Sequence, residues 1–371
     1  MIGILTTLSL ALSPAVAPAE GAPVGAPVGA PVGGAVAEPA PALLERLEAA
    51  SVERLRLGSE LGWPDVEAMV DRLVAQFELG ERAVPASPQE AGELAVLFQD
   101  LAIGTTPLQR LGLVVRCQSV LDLGLDDAVG QRLVRAQVRL LEPLVARSGA
   151  ADSRDSVLER GLELYESIEA AVTDPLTGEA PDFLRRSRLR IQRLRVGSPM
   201  PRFVARDTAG NELRSAQLEG NVLVLRFWDA ASAASLAAHR ADADLVRDYW
   251  DAPFDLIGVT SSEDRAAYLE LLEEVRFGGV QLFDGPISVT LADALARQLG
   301  GFSTAGEFGS SSSIHPRWGN PVPGSQFIVD ARGRIRGRDL SPEATRALVD
   351  RLIQEEQSHR RSQFGPSGSS R

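Results

Sequence analysis

Residues 196–228 read VGSPMPRFVARDTAGNELRSAQLEGNVLVLRFW, and this stretch decides the fold of the C-terminal half. Its last seven residues, Val222–Trp228, are apolar apart from Arg226, a pattern that is typical of a buried β-strand. A helical pattern follows from Ser232 to Tyr249. Because a buried strand here leads directly into a helix, we expect a sheet with helices packed against it.

Strands and helices continue to alternate through the rest of this half. The pattern predicts strands at 255–260, 281–283 and 287–289, helices at 263–275 and 291–299, a hairpin joining 326–329 to 334–336, and a last helix from Ser341 to about Glu355. Such an order, closed by a hairpin and a helix, predicts a three-layer α/β domain over residues 196–356.

The opening of this domain resembles that of exported redoxins, the thioredoxin-like group that includes TlpA-type proteins and the alkyl hydroperoxide reductase/thiol-specific antioxidant family. The matching residues are Gly197, Pro201, Phe203, Asp207, Gly210, Leu213, Leu218, Gly220, Phe227 and Trp228. The later stretch FIVDARGRI, residues 327–335, resembles the hairpin of the same family. The resemblance covers Val196 to Glu355, under half of the chain, and implies a thioredoxin-like fold there.

Redox-active members of that family carry C-x-x-C at the start of the helix after the Phe-Trp pair, where the helix N-terminus lowers the thiol pKa. Counted from Trp228, the two positions are Ser232 and Ser235. A serine hydroxyl is a far weaker acid than a thiol and forms no mixed disulfide. An alignment on peroxiredoxins places Leu236 near the reactive position, again without a cysteine. The resemblance therefore implies a redox domain without its reactive sulfur.

The proline that faces C-x-x-C in this family is also changed. The family pattern places this cis-proline at Gly324, and the nearest proline, Pro323, is displaced by one residue. Two separate parts of the redox site differ together, which favours a redox-inactive domain that acts as a binding or scaffold module. We therefore expect no thiol–disulfide enzyme activity.

Two alternatives stay open on the residues alone. One is an oxidoreductase that uses the single cysteine, Cys117, although that residue lies in an apolar helical stretch where a buried structural thiol is the commoner case. The other is a hydrolase, because Ser232, Ser235 and His239 share one helix face with Asp229 upstream. The simpler interpretation makes Ser232 an N-cap, Ser235 a packed substitute for cysteine, and His239 a solvated or core-edge side chain.

Residues 300–319 precede the altered proline and include four consecutive serines. We expect a mobile loop near the vestigial site that acts as a lid or as a partner-binding surface, with Arg317 and Trp318 as the candidate binding residues. A long surface loop without a function is an equally simple interpretation.

Residues 43–195 show helical periodicity throughout. Ser87-Pro88 and Thr106-Pro107 are helix-start signals, and we expect about six helices joined by short connections in an all-α domain. The basic stretch 185–195 is interpreted as a solvated face of the last helix. The pattern shows no catalytic constellation in this domain.

The two ends of the chain have a different composition from its middle. Residues 1–19 are typical of a signal peptide, with a short apolar stretch before small residues. Residues 20–42 contain GAPV three times and predict an extended Ala/Pro/Gly/Val-rich linker, and the polar residues 357–371 predict a disordered tail. We therefore expect export to the periplasm or cell envelope, with the N-terminal segment acting as a signal peptide or as an uncleaved anchor and with membrane tethering only through that segment.

Charge and composition restrict the partners. The net charge of −12 argues against binding to nucleic acid and to anionic membrane surfaces. One cysteine and three histidines, far apart in the sequence, do not form a metal-ligand pattern. We expect no metal and no cofactor, and a protein or peptide as the partner.

Overall fold

The N-terminal half of the described chain is helical. The computed structural model describes residues 40–57, 62–81, 84–85, 87–148, 155–174, 176–260, 265–274, 277–284 and 314–363. Its first seven helices are α1 (Ala40–Leu57), α2 (Trp63–Glu78), α3 (Pro88–Leu101), α4 (Pro107–Leu121), α5 (Asp127–Ser148), α6 (Ser156–Val172) and α7 (Asp182–Arg193). Within these ranges there are seven helices before the first strand, so the expectation of about six was one short.

The helix-start signals act as the sequence predicts. At α3, the Ser87 hydroxyl accepts a hydrogen bond from the Glu90 backbone N–H at 3.2 Å. At α4, Thr106 and Gln109 form a reciprocal capping box, with distances of 2.9 and 3.3 Å. Both caps satisfy backbone N–H groups that have no partner inside the helix.

The C-terminal half contains a short hairpin and a mixed sheet. The hairpin pairs β1 (Val204–Arg206) with β2 (Glu212–Arg214). The sheet has the strands β3 (Val222–Trp228), β4 (Phe254–Thr260), β5 (Val280–Phe283), β6 (Gln326–Val329) and β7 (Ile335–Arg338). Their order is β5-β4-β3-β6-β7; β4 is parallel to β3 and to β5, while β6 is antiparallel to β3 and to β7. Helix α8 (Ala233–Asp248) connects β3 to β4, and α9 (Arg265–Glu274) follows β4.

Alternation along β3 produces two cores. Leu223, Leu225 and Phe227 pack in one hydrophobic cluster, whereas Val222 and Val224 pack in another with the C-terminal helix Pro342–Gln363. Successive strand residues point to opposite faces, so the central strand is buried on both sides. A β-α-β unit followed by an antiparallel hairpin and a closing helix, on this strand order, is the thioredoxin fold. The expected fold class is confirmed.

Some predicted boundaries were wrong. The C-terminal helix reaches Gln363, so residues 357–363 are helical and do not belong to a disordered tail. Helix α1 begins at Ala40, inside the range expected for the linker. The strand and helix expected at 287–289 and 291–299, the segment 1–39 and most of the loop 300–319 lie outside the described residues. Within the described part of the chain, no helix combines the length and the apolar character needed to cross a membrane.

The two domains contact each other along α8. Leu55 from α1 and Ile103 from the end of α3 form a small buried cluster with Ala234 and Ala238 of α8. The backbone N–H of Val196 donates to the carbonyl of residue 146 in α5 at 3.2 Å, where the chain passes between the domains. The helical domain therefore packs on the helix that would carry the redox residues.

Candidate functional site

Ser232 is the N-cap of α8, at the position of the first redox cysteine in the family that the chain resembles. Its hydroxyl accepts a hydrogen bond from the Ser235 backbone N–H at 3.1 Å, because the first N–H groups of a helix have no partner within it. The same hydroxyl donates to the Asp100 carboxylate at 3.0 Å. One side chain thus caps its own helix and binds the helical domain.

Ser235, at the second redox position, is fully buried. Its oxygen accepts from the Asp229 backbone N–H at 3.0 Å and lies 2.9 Å from the Asp229 carbonyl and 3.1 Å from the Ser232 carbonyl. The hydroxyl therefore ties the turn after β3 to the first turn of α8. Asp229 takes part through its backbone at this point, and its carboxylate accepts from the Ala231 backbone N–H at 2.9 Å.

The loop before β6 lies beside the start of α8. The Gly324 backbone N–H donates to the Phe227 carbonyl at 2.7 Å, next to the end of β3. Pro323 and Gly324 are joined to the chain by trans peptide bonds, since the described residues contain no cis bond. Gly324 has a φ of 88°, and a Cβ added there would lie 2.4 Å from the Cδ1 of Ile103. A side chain at 324 would thus collide with the helical domain.

Asp100 is the electrostatic partner of this site, and the sequence pattern gave no signal for it. It lies at the C-terminal end of α3, where a carboxylate is disfavoured by the helix dipole, but it faces the N-terminus of α8, where a negative charge is favoured. Burial raises the pKa of Asp100 to about 6, the Ser232 hydroxyl opposes this rise, and the charge of Glu48 adds to it. Its proton occupancy therefore changes near neutral pH.

His239 does not form a pair with Ser232. Its Nε2 lies 2.9 Å from the Gln281 Oε1, and its ring stacks against Trp228, at 5.2 Å, and Phe277, at 4.8 Å between ring centroids. The Trp228 and Phe277 rings are 5.0 Å apart, so the three rings form one cluster. The side chain is fully buried, so the expectation of a solvated or core-edge histidine was wrong. Burial lowers its pKa to about 4, although the charge of Asp242 and the Gln281 hydrogen bond act in the opposite direction. A neutral imidazole in this position supports packing of α8 on the sheet.

Cys117 lies in the core of the helical domain. Its side chain is fully buried, and its sulfur is 3.8 Å from the Leu133 carbonyl on α5. Burial raises the pKa of the thiol to about 12, so it is protonated at neutral pH. Whereas Ser232 contacts α3, the sulfur of Cys117 is packed between α4 and α5.

Trp318 and Arg317 behave differently from each other. Trp318 is fully buried against Phe227 and Phe327, with ring centroids 6.0 and 4.8 Å away, so it belongs to the core and not to an exposed binding loop. It follows the short helix Ile314–Arg317, part of the stretch that was expected to be a mobile loop. Arg317 is exposed, and its guanidinium donates to the Arg202 carbonyl at 3.3 Å.

Arg317 borders a groove whose opposite wall is α7. The groove has a volume of about 170 Å³, and its α7 wall includes Arg186, Leu189 and Arg193. These three residues are spaced i, i+3 and i+7, so they share one helix face. Arg190 is different, because it is buried and ion-paired to Glu142 at 2.5 Å. The interpretation of 185–195 as a wholly solvated face was therefore wrong at Arg190.

The described residues contain no group of three or more His, Cys, Asp or Glu side chains that could hold a metal ion. The ionisable side chains at the start of α8 are engaged with protein atoms: Asp100 with Ser232, Asp229 with the adjacent turn, and His239 with Gln281. The sheet order and the capped α8 together define a thioredoxin-fold domain with serines at positions 232 and 235.

Comparisons with known proteins give similarity in structure only. No family model matches the chain, and no curated protein matches it. A putative thiol:disulfide interchange protein DsbE from Chlorobium tepidum is 15% identical over 44% of this chain and 98% of its own, with a TM-score of 0.30. A putative thiol-disulfide oxidoreductase from Bacteroides vulgatus is 18% identical over 43% and 99%, with a TM-score of 0.31. A putative protein disulfide isomerase from Bacteroides thetaiotaomicron is 17% identical over 45% and 95%, with a TM-score of 0.33.

Proposed function

We propose that this protein is an exported binding or scaffold protein of the cell envelope whose thioredoxin-like domain performs no thiol–disulfide exchange. The proposal depends on one observation. The hydroxyl of Ser232, at the first redox position, is engaged by Asp100 from the helical domain. Thiol–disulfide exchange needs an accessible thiolate at this position, and the chain offers a hydroxyl that already binds its own neighbouring domain.

The surroundings of position 232 are also unfavourable to a thiolate. Asp100 lies within hydrogen-bond distance, and a negative charge at that distance raises the pKa of a neighbouring thiol. Ile103 occupies the space where a side chain at position 324 would otherwise lie. A substrate polypeptide that bound the Ser232 hydroxyl would have to displace Asp100 from it.

The two alternatives have less support. Thiol chemistry through Cys117 would need its thiolate, but the thiol is fully buried and its pKa is raised to about 12. Hydrolysis by a Ser–His pair would need His239 within hydrogen-bond distance of Ser232. The Nε2 of His239 is instead bonded to Gln281, and its fully buried ring packs against Trp228 and Phe277.

A binding role needs a surface that the helical domain leaves open, and the groove beside α7 provides one. Arg186, Arg193 and Arg317 line the same groove as Leu189, which is 49% exposed. Three guanidiniums in one groove with an apolar residue suit a peptide with acidic side chains next to a hydrophobic one. We infer that the partner is an acidic segment of another protein.

Reduction of insulin disulfides by the purified protein tests the redox part. We expect no turnover above the background of the reductant, with an authentic thioredoxin as the positive control. The Ser232→Cys/Ser235→Cys variant should also stay well below thioredoxin, and adding Asp100→Ala to it should raise its rate. Robust turnover by the unmodified protein that is abolished by Cys117→Ser would refute the proposal.

Site-specific photo-crosslinking in intact cells tests the binding part. A photoreactive residue at Leu189 should capture an acidic partner in the envelope fraction, and Arg317→Glu should abolish the adduct. Leu176, which is 93% exposed in the segment between α6 and α7, is the matched control position. Equal capture from both positions, or no adduct from Leu189, would contradict this surface.

A further inference from the structure

A small cavity lies between the two domains, beside the contact of Ile103 with Gly324. Its volume is about 30 Å³, and it is bordered by the end of α3, by α5, by the loop 321–325 and by the end of β7. Its ionisable lining residues are Arg110, Arg139, Arg226, Arg338, Glu142 and Asp339. This volume exceeds the roughly 10–15 Å³ that one water molecule needs and admits one small ion.

Positive charge is in excess around this cavity. Arg226 is balanced by Asp242, with two contacts of 2.6 and 3.1 Å. The Glu142 carboxylate forms ion pairs with three other guanidiniums, at 2.5 Å to Arg190, 3.6 Å to Arg139 and 3.4 Å to Arg338. One carboxylate thus faces three buried or half-buried cations.

Asp339 compensates only part of this excess of positive charge. Its carboxylate lies 3.3 Å from the Nε of Arg338 and accepts the Gln326 backbone N–H at 2.7 Å. Arg110 has no ion pair with any carboxylate in the described ranges, and its guanidinium donates to the Ala102 carbonyl at 2.8 Å. Two carboxylates, Glu142 and Asp339, therefore face the four guanidiniums of Arg110, Arg139, Arg190 and Arg338.

The buried guanidiniums of Arg338 and Arg110 are the groups whose positive charge is not fully compensated. Arg338 is 5% exposed, and its Nη1 has no hydrogen-bond partner among the described atoms. Arg110 is 6% exposed, and burial lowers its pKa to about 10, with Asp339 opposing and with Arg338 and Arg147 adding to the decrease. Burial of unpaired charge is strongly unfavourable unless a counter-charge accompanies it.

We propose that this cavity binds one small monovalent inorganic anion, with the chemistry of chloride or bromide, between Arg110 of the helical domain and Arg338 of the thioredoxin-like domain. The ion would supply the missing counter-charge and accept from the free Arg338 donor. Because Arg110 lies on α4 and Arg338 on β7, the bound anion would connect the two domains. This proposal does not depend on whether the thioredoxin-like domain performs thiol–disulfide exchange.

Crystals of the full chain grown in sodium bromide provide a direct test. We expect an anomalous peak in the cavity within contact distance of the Arg110 and Arg338 guanidiniums. Density at the height of a water molecule, without anomalous signal, would overturn the proposal.

Thermal unfolding provides a second test that needs no crystals. At equal ionic strength, sodium chloride should raise the Tm by about 3 °C or more relative to sodium gluconate, whose anion is too large for the cavity. Arg110→Met should remove this difference, whereas Arg240→Met, a change at an exposed arginine of α8, should preserve it. An unchanged chloride effect in a folded Arg110→Met variant would contradict the site, and if that variant does not fold, the bromide peak in the unmodified protein decides.

Discussion

At the scale of single residues, the serines at 232 and 235 determine the local structure at the start of α8. A hydroxyl is a good N-cap, and replacement of such a cap by alanine typically costs about 1 kcal/mol. Ser232 uses this property and adds the bond to Asp100. Ser235 similarly satisfies backbone groups of the preceding turn. Both hydroxyls therefore stabilise the local structure at the start of α8.

His239 allows a prediction about pH. Its pKa is lowered to about 4 in the folded protein, against an ordinary value of 6.5, so protons bind the unfolded chain more tightly. Its contribution to stability is complete above pH 6.5 and is lost as the pH falls towards 4. Between pH 7.5 and pH 5 this single group should lower the free energy of unfolding by roughly 2 kcal/mol.

Urea unfolding at the two pH values measures this effect. The loss on acidification should be smaller in His239→Gln than in the unmodified protein, while His359→Gln near the C-terminus should leave it unchanged. Asp100 acts in the opposite direction, because its raised pKa adds stability as the pH falls below about 6, and it is common to all three proteins. An identical pH dependence in His239→Gln would show that the imidazole does not titrate as described.

At the scale of elements, the loop 321–325 packs closely against the end of α3. Gly324 has a left-handed φ of 88°, and its missing side chain leaves the space that Ile103 fills. The Arg226 guanidinium donates to the Gly324 carbonyl at 2.7 Å and fixes the loop from the sheet side. At the end of α3, Arg54 donates to the Ile103 carbonyl at 2.5 Å.

Alanine substitutions at Gly333 and Gly324 distinguish the cost of a left-handed backbone from the cost of steric overlap with Ile103. Gly333 has a similar φ of 73° with no atom within 4 Å of the place that a Cβ would take, so Gly333→Ala should cost only the backbone term of about 1–2 kcal/mol. Gly324→Ala should cost about 1–3 kcal/mol more, because its Cβ overlaps Ile103. Urea unfolding measures both values.

The contact with Ile103 can be checked within the same series. The double variant Gly324→Ala/Ile103→Ala should lose less stability than the sum of the two single variants, since the shorter side chain removes the overlap. Equal losses in the free energy of unfolding for Gly324→Ala and Gly333→Ala would mean that Ile103 of the helical domain does not pack closely against this loop.

At the scale of the whole molecule, buried charge connects the two domains. Glu142 on α5 binds Arg190 on α7 and Arg338 on β7, so one carboxylate joins three elements from both domains. It is 1% exposed, and although burial acts to raise its pKa, the surrounding guanidiniums hold the pKa below its ordinary value. Such a group stabilises the assembly only while all of its partners remain in place.

Replacement of this carboxylate by an amide should be costly. Glu142→Gln leaves buried guanidiniums without their counter-charge and should lower the free energy of unfolding by about 3–5 kcal/mol. Glu163→Gln is the matched control, because Glu163 is paired with Arg160 on the exposed side of α6 and should change stability by less than about 0.5 kcal/mol. Chemical denaturation followed by fluorescence measures both, and a small effect of Glu142→Gln would show that the buried pairs do not hold the domains together.

The sequence by itself determined the features that depend on neighbouring residues. The apolar run of β3 and the helix caps at Ser87 and Thr106 are local patterns, so periodicity was enough to predict the helical N-terminal region and the α/β fold that follows it. The absence of a reactive sulfur at positions 232 and 235 was implied by the family resemblance and stays a prediction. Helix ends were predicted less well, as at Gln363, because the last turns of this helix lie beyond its buried residues and are polar, like a disordered tail.

Only the tertiary structure decided which distant residues meet. Nothing near Asp100 in the sequence indicates that it binds Ser232, 132 residues away. Likewise, Trp318 is in the core and Arg190 is in an ion pair because other elements pack over them. A side chain's burial depends on the summed packing of segments that are far apart in the chain, and a local pattern carries no information about that packing.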